Sequence, residues 1–189
     1  MADVAERTRL GRYGGRLLRA LALVLLAGGG LAVLLFSLAL GFAHWIRSQP
    51  EPAVLLLGDS MPPTLQSFDV VYLRAPRDLR RGVIISYRVR HGRIAHRIVG
   101  LPGETIAVRD GQVVIGTGGD ARPLEETYVR YPFRWSADPV TLAPDEYLTL
   151  GDNRAAASGR AIHLVPRQDI VAAVYRIVFP PWRARLLKE

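Results

Sequence analysis

Between Ala20 and Ala43 the chain carries no charged residue; it is rich in Leu, Ala and Val and contains the run Gly28-Gly29-Gly30. A helix needs roughly 20 such residues to cross a bilayer, and consecutive glycines are tolerated there better than in a soluble helix. Arg7, Arg9, Arg12, Arg16 and Arg19 precede the segment, against Asp3 and Glu6, whereas His44, Trp45 and Arg47 follow it. The positive-inside rule therefore predicts a basic cytoplasmic N-terminus over 1–19, a transmembrane helix over 20–43 and an extracytoplasmic remainder, with Trp45 as an interfacial anchor. A cleaved signal peptide fits less well, because its apolar region is usually only about 7–15 residues and an Ala-x-Ala site should follow. A buried core helix fits less well still, since the segment is apolar all round.

The anchor also accounts for much of the charge. The net charge is +8, but six arginines flank the span against two acids, leaving nineteen basic and fifteen acidic residues elsewhere. That mild, scattered surplus carries none of the basic motifs of nucleic-acid readers, so the expected partner is membrane lipid and not nucleic acid. The chain has no cysteine, which excludes disulfides, thiolate catalysis and Cys-ligated zinc.

Beyond the anchor the helical period is lost. Short β-rich runs recur at 54–57, 70–73, 83–89, 94–99, 105–108, 113–115, 147–150 and 170–179. Turn signals separate them, among them Arg90-His91-Gly92-Arg93 and the hairpin-type Asp110-Gly111. This spacing predicts a mainly β fold, an antiparallel domain over 48–182, followed by a tail at 183–189. The stretch 116–144 lacks periodicity and reads as an insertion or long loop. Tyr131, Phe133, Trp135 and Trp182 read as packing residues or as aromatics resting at the lipid interface.

Two residues stand out chemically. Ser60 lies in Gly58-Asp59-Ser60-Met61-Pro62-Pro63, directly after the apolar run 53–57. That bend suits a nucleophile whose own N–H lies near the point of attack, and it equally suits an ordinary turn serine. His96 sits inside Ile94-Ala95-His96-Arg97-Ile98-Val99 and shares a strand face with Ile94 and Ile98. It reads as a base facing a cleft or as a core histidine. Lys188 is the only lysine, so a lysine base has no candidate within the domain.

Three segments together resemble the type I signal peptidases. Ser60-Met61-Pro62-Pro63-Thr64-Leu65 is similar to their nucleophile box. His96-Arg97-Ile98-Val99-Gly100-Leu101-Pro102-Gly103-Glu104 is similar to their second box, and Gly151-Asp152-Asn153-Arg154 to their third. The boxes follow the family's order, after an anchor with the family's orientation. The resemblance implies a signal-peptidase-like antiparallel β domain in the cell membrane, with its catalytic cleft outside. It implies a serine endopeptidase that removes signal peptides from secretory preproteins after small residues, with Ser60 as nucleophile and no cofactor or metal. The oxyanion would be held by the Ser60 backbone N–H. The substrate would bind as an added strand, its small side chains entering pockets lined by Leu56, Met61 and Ile94. Pro63, Arg97, Gly151, Asp152, Asn153 and Arg154 would be structural motif residues.

The departures are specific. Bacterial members place a lysine where His96 stands, and endoplasmic-reticulum and archaeal relatives a histidine, so a Ser60–His96 dyad is expected. Histidine has a pKa of about 6.5 and is basic without heavy desolvation. After the third box, Ala155-Ala156-Ala157-Ser158-Gly159-Arg160 offers no carboxylate to orient it, leaving Ser158, or Asp152, as the expected partner. Gly58 stands where many bacterial members have a hydroxyl that helps bind the oxyanion. The missing carboxylate supports an alternative, a catalytically degenerate peptide-binding member. A dedicated peptidase with a narrow substrate set is another.

Overall fold

The computed structural model describes residues 28–44 and 53–187. The N-terminal stretch 1–19, the first part of the expected span, Trp45, Arg47 and Lys188 lie outside the described residues. The chain divides into two compact units, 1–49 and 50–189.

In the first unit residues 28–44 form a helix, α1, with every side chain exposed, Leu31, Val33, Leu35 and Phe36 among them. Among the described residues no helix is long and apolar enough to cross a membrane.

The second unit is antiparallel β. Its strands are β1 (Ala53–Leu55), β2 (Val70–Arg74), β3 (Ile84–Val89), β4 (Gly92–Gly100), β5 (Thr105–Arg109), β6 (Gln112–Ile115), β7 (Arg122–Pro123), β8 (Ala137–Thr141), β9 (Glu146–Leu150), β10 (His163–Pro166), β11 (Ile170–Phe179) and β12 (Arg185–Leu186). One sheet runs β1-β2-β11-β3-β4-β9-β10, with β12 on β11, and the other runs β7-β6-β5-β8. A single helical turn, α2 (Ala157–Arg160), precedes β10.

Alternation of apolar residues fixes which face each strand buries. Val71 and Leu73 of β2, Ile84 of β3 and Val174 and Ile177 of β11 pack with Met61 and Leu65. Ile85 and Tyr87 of β3 pack with Ile98, Val165 and Ile170. The second sheet closes over Val99, Leu148 and Leu150 with Ile106, Val108 and Val113. Asp110 and Gly111, both at positive φ, make the tight turn expected between β5 and β6.

The stretch 116–144 is more than a loop. It contains β7 and β8, and β8 pairs with β5. The pattern in β8 is half-buried at best, so its polar sequence hid it. β10 is likewise a short strand with one fully buried residue, Val165, and it escapes a periodicity reading for the same reason.

Candidate active site

The loop from Leu56 to Asp69 continues the β1–β2 ladder through Leu56 N–H to Asp69 O and Phe68 N–H to Leu56 O. Gly58 has φ 145, a conformation that side chains rarely adopt. Ser67 clamps it, its Oγ accepting from Gly58 N–H at 3.0 Å and donating to Gly58 O at 2.9 Å. That backbone explains why this position holds glycine in place of a hydroxyl residue. Ser60 follows, half-buried. Its carbonyl accepts from the Asn153 N–H at 2.9 Å, and Asn153 Nδ2 donates to Asp59 O at 2.8 Å. Met61, 5% exposed, plugs the next position into the core. The Ser60 bend is therefore held on both sides.

Gly151 is the contact point. A Cβ there would overlap the Ser60 carbonyl oxygen and crowd Gly159 Cα. Across the sheet Arg97 pairs with Leu150. The main chain of Ser60 thus rests on the residue that follows β9.

His96 is 3% exposed. Its Nδ1 lies 3.1 Å from Tyr87 Oη, and Thr149 Oγ1 donates to Tyr87 Oη at 3.1 Å. The His163 ring sits edge-on, 5.3 Å away between centroids. Burial, then His163 and Arg154, push the His96 pKa from 6.5 down to about 4, because each disfavours the charged ring. Burial also lowers His163. It raises Tyr87, against the Thr149 hydrogen bond, so the phenol stays protonated. Neither Ser60 Oγ nor His96 Nε2 has a hydrogen-bond partner among the described residues, and the two do not bond each other. The Ser60 N–H is also without a partner among the described residues.

Ser60 opens onto a cleft of about 320 Å³. Leu56, Met61 and Ile94 line it together with Ala95, Ser86 and Leu73. Among the described residues β1 forms an edge of its sheet, pairing only with β2. β4 joins β9 only from Arg97 onward, so residues 92–96 pair on one side alone. The cleft lies along these two part-open edges, the geometry that an extended peptide can extend by main-chain hydrogen bonds.

The third box packs behind Ser60 and does not itself line the cleft. Arg97 Nε and Nη2 grip Asp152 Oδ1 and Oδ2 at 2.9 and 2.6 Å, and Arg97 Nη1 donates to Gly82 O at 2.6 Å. Arg154, 1% exposed, donates from Nε to Gly151 O at 2.7 Å and pairs with Glu126 Oε1 at 2.5 Å. Tyr128 lies on Arg97, 4.1 Å from ring centroid to guanidinium, and donates to Glu126. Glu126 and Tyr128 come from the stretch read as an insertion, so that stretch locks the box.

Two expected partnerships take a different form. Ser158 Oγ donates to Asp59 Oδ1 at 2.6 Å, so it steadies the residue before Ser60 instead of orienting His96. Asp152 has both oxygens on Arg97, and a buried guanidinium leaves it no freedom to serve a histidine. The hydroxyl on Nδ1 belongs to Tyr87. The two-residue turn Arg90-His91 sets the β3–β4 register, with Tyr87 opposite Ile94 and Ile85 opposite His96. Tyr87 is therefore the diagonal, same-face neighbour of His96, and the turn signal was enough to find it. His163 reaches the site through β10, whose pairing with β9 no local pattern announces.

The sequence profile described as "Signal peptidase, peptidase S26" matches residues 31–179. A probable signal peptidase I-2 from Synechocystis is 29% identical over 76% of this chain and 70% of its own length. Signal peptidase I of Leptolyngbya laminosa is 37% identical over 49% of this chain and 43% of its own. A crystal structure of a signal peptidase I from Enterococcus faecalis, 26% identical, overlaps 51% of this chain and 97% of its own with a TM-score of 0.42. With the profile spanning residues 31–179, most of the sequence, the chain belongs to the signal peptidase family, peptidase S26.

Proposed function

We propose that this protein is a serine endopeptidase that removes signal peptides from exported preproteins after small residues, with Ser60 as nucleophile and His96 as general base. The observation that carries the reading is the half-buried Ser60 bend, held by Gly151 and Asn153 and opening onto an apolar cleft beside two part-open strand edges. A preprotein segment adds as a strand along residues 53–57 and 92–96. Leu56, Met61 and Ile94 take its small side chains.

Ser60 Oγ attacks the scissile carbonyl while its proton passes to His96 Nε2, and the Ser60 N–H receives the oxyanion. The proton then goes to the leaving amine, and water repeats the sequence on the acyl-enzyme. Neutral His96 is the form present at pH 7, given its lowered pKa. Substrate closure must bring Ser60 Oγ and Nε2 into hydrogen-bond reach, since free proteases often show this contact loose. The uncharged segment 20–43 anchors the domain on the outer face of the cell membrane, with 1–19 in the cytoplasm.

Cleavage of a preprotein bearing an Ala-x-Ala site tests the reading. Wild-type chain should release the mature protein, and Ser60→Ala should not. The second reading, a peptide-binding member without activity, draws on the absence of a Ser60–His96 hydrogen bond; it predicts that folded wild-type protein binds the signal peptide and leaves it intact at every pH.

A further inference from the structure

We propose that Arg93 is a specificity-determining residue, drawing an acidic side chain at the fourth or fifth position before the scissile bond of the substrate. The proposal rests on the cleft being the peptide site. Among the described residues that line it, Arg93 is the only charged one, and Ser60, Gln66 and Ser86 are the only other polar side chains. In the β3–β4 ladder Ser86 pairs with Ala95 and Arg88 with Arg93. Side chains alternate along a strand, so Arg93 and Arg88 share the face on which Ser86 and Ala95 meet the cleft. Like charges directly opposite each other repel. Arg88 turns to the Gln168 carbonyl, donating from Nη1 at 3.3 Å. Arg93 is exposed and has no hydrogen bond or ion pair among the described residues. An unneutralised cation at the rim of an apolar cleft favours a carboxylate and disfavours an ammonium.

Strand direction sets the position on the substrate. From β1 to β4 the sheet runs β1-β2-β11-β3-β4, and every neighbouring pair is antiparallel. Four reversals make β1 and β4 run the same way. β1 leads into the Ser60 bend while β4 leads to His96. Arg93 precedes His96 by three residues, about 10 Å along a strand that rises roughly 3.3 Å per residue. An added substrate strand rises at the same rate. With the residue at the scissile bond beside His96, the residue level with Arg93 is therefore three further along, the fourth from the cut. The length of the arginine stem extends its reach to the fifth. Ile94, next to Arg93 in the lining, takes a small side chain from the part before the cut, so the acidic position lies on that same side.

The test swaps charge across the complex. Two Ala-x-Ala preproteins, identical except for Asp or Lys at the fourth position before the cut, compete for full-length wild type, Arg93→Gln and Arg93→Glu; a second pair carries the change at the fifth. At one of these positions wild type should favour Asp over Lys by about fivefold or more in kcat/KM, because an attraction and a repulsion of exposed-pair size add in the ratio. The ratio should fall to near one in Arg93→Gln and invert in Arg93→Glu. Each ratio is internal to one protein sample, so a partly misfolded variant still reports it. In about 1 M salt, where the Debye length is roughly 3 Å, the wild-type preference should shrink. A wild-type ratio near one at both positions, or the same ratio in all three proteins, overturns the proposal. Peptide affinity separates a failure of the underlying reading. Fluorescence anisotropy gives the Kd ratio of the Asp and Lys peptides on Ser60→Ala and on Ser60→Ala/Arg93→Glu. If that ratio inverts while wild type leaves every preprotein intact, the peptidase reading fails and selection by Arg93 stands.

Discussion

The carbonyl oxygen of Ser60 rests where a side chain on Gly151 would begin. Gly151→Ala should therefore push the nucleophile loop off the sheet and break the Asn153 N–H bond to Ser60 O. Overpacking of this kind costs about 1–3 kcal/mol, and cleavage should fall with it because the displaced atoms adjoin the nucleophile. Chemical denaturation and preprotein cleavage on the same sample check both. Unchanged activity would mean that the loop position is not critical.

Arg97 and Asp152 form a buried, two-pronged pair. Asp152→Asn should destabilise by about 3–5 kcal/mol, the cost of leaving a buried charge without its counter-ion. Arg97→Lys should recover little, because an ammonium cannot reproduce the fork or the packing on Tyr128. Urea midpoints at constant m-value measure this.

Ser158 should matter modestly. Its hydroxyl meets Asp59 at an exposed site, so Ser158→Ala should cost about 1 kcal/mol or less and leave kcat within a few-fold of wild type. A loss of a hundredfold or more would place Ser158 in the proton path after all.

Much of this was open to reading from residues alone. The first box located the cleft at Ser60 and Met61, the alternation around His96 put it on a buried face with Ile98, and Asp110-Gly111 marked its hairpin. What escaped were contacts made across long sequence distances. Glu126 reaches Arg154 from a polar stretch without periodicity, and His163 arrives on a strand with a single fully buried residue. The third box offers His96 only Ser158 or Asp152 as a partner, whereas the hydroxyl at its Nδ1, that of Tyr87, lies one hairpin away. Ser158 was the nearest hydroxyl in that box, and Asp59 had already engaged it.

His96 should also leave a mark on stability. Its folded pKa, about 4, lies below the ordinary 6.5, so the unfolded chain binds the proton more tightly. Its contribution is fully present above pH 6.5 and is lost as the pH falls from 6.5 toward 4. The full loss is roughly 3 kcal/mol. His96→Gln should flatten the stability curve over that interval, apart from the smaller slope that the lowered His163 leaves. Denaturant unfolding of the two proteins at pH 7 and pH 4.5 gives the comparison.

The central claim is that Ser60 and His96 work as one pair, and the pH dependence of cleavage tests it most directly. The free enzyme's kcat/KM should rise through an acid limb below 6.5, in the direction of the lowered His96 pKa. Ser60→Ala should be inactive at every pH, and His96→Ala should be reduced by about 10²–10⁴ with the limb gone. A limb that survives in His96→Ala, or an ascending limb near pH 9 in the wild type, would contradict the account.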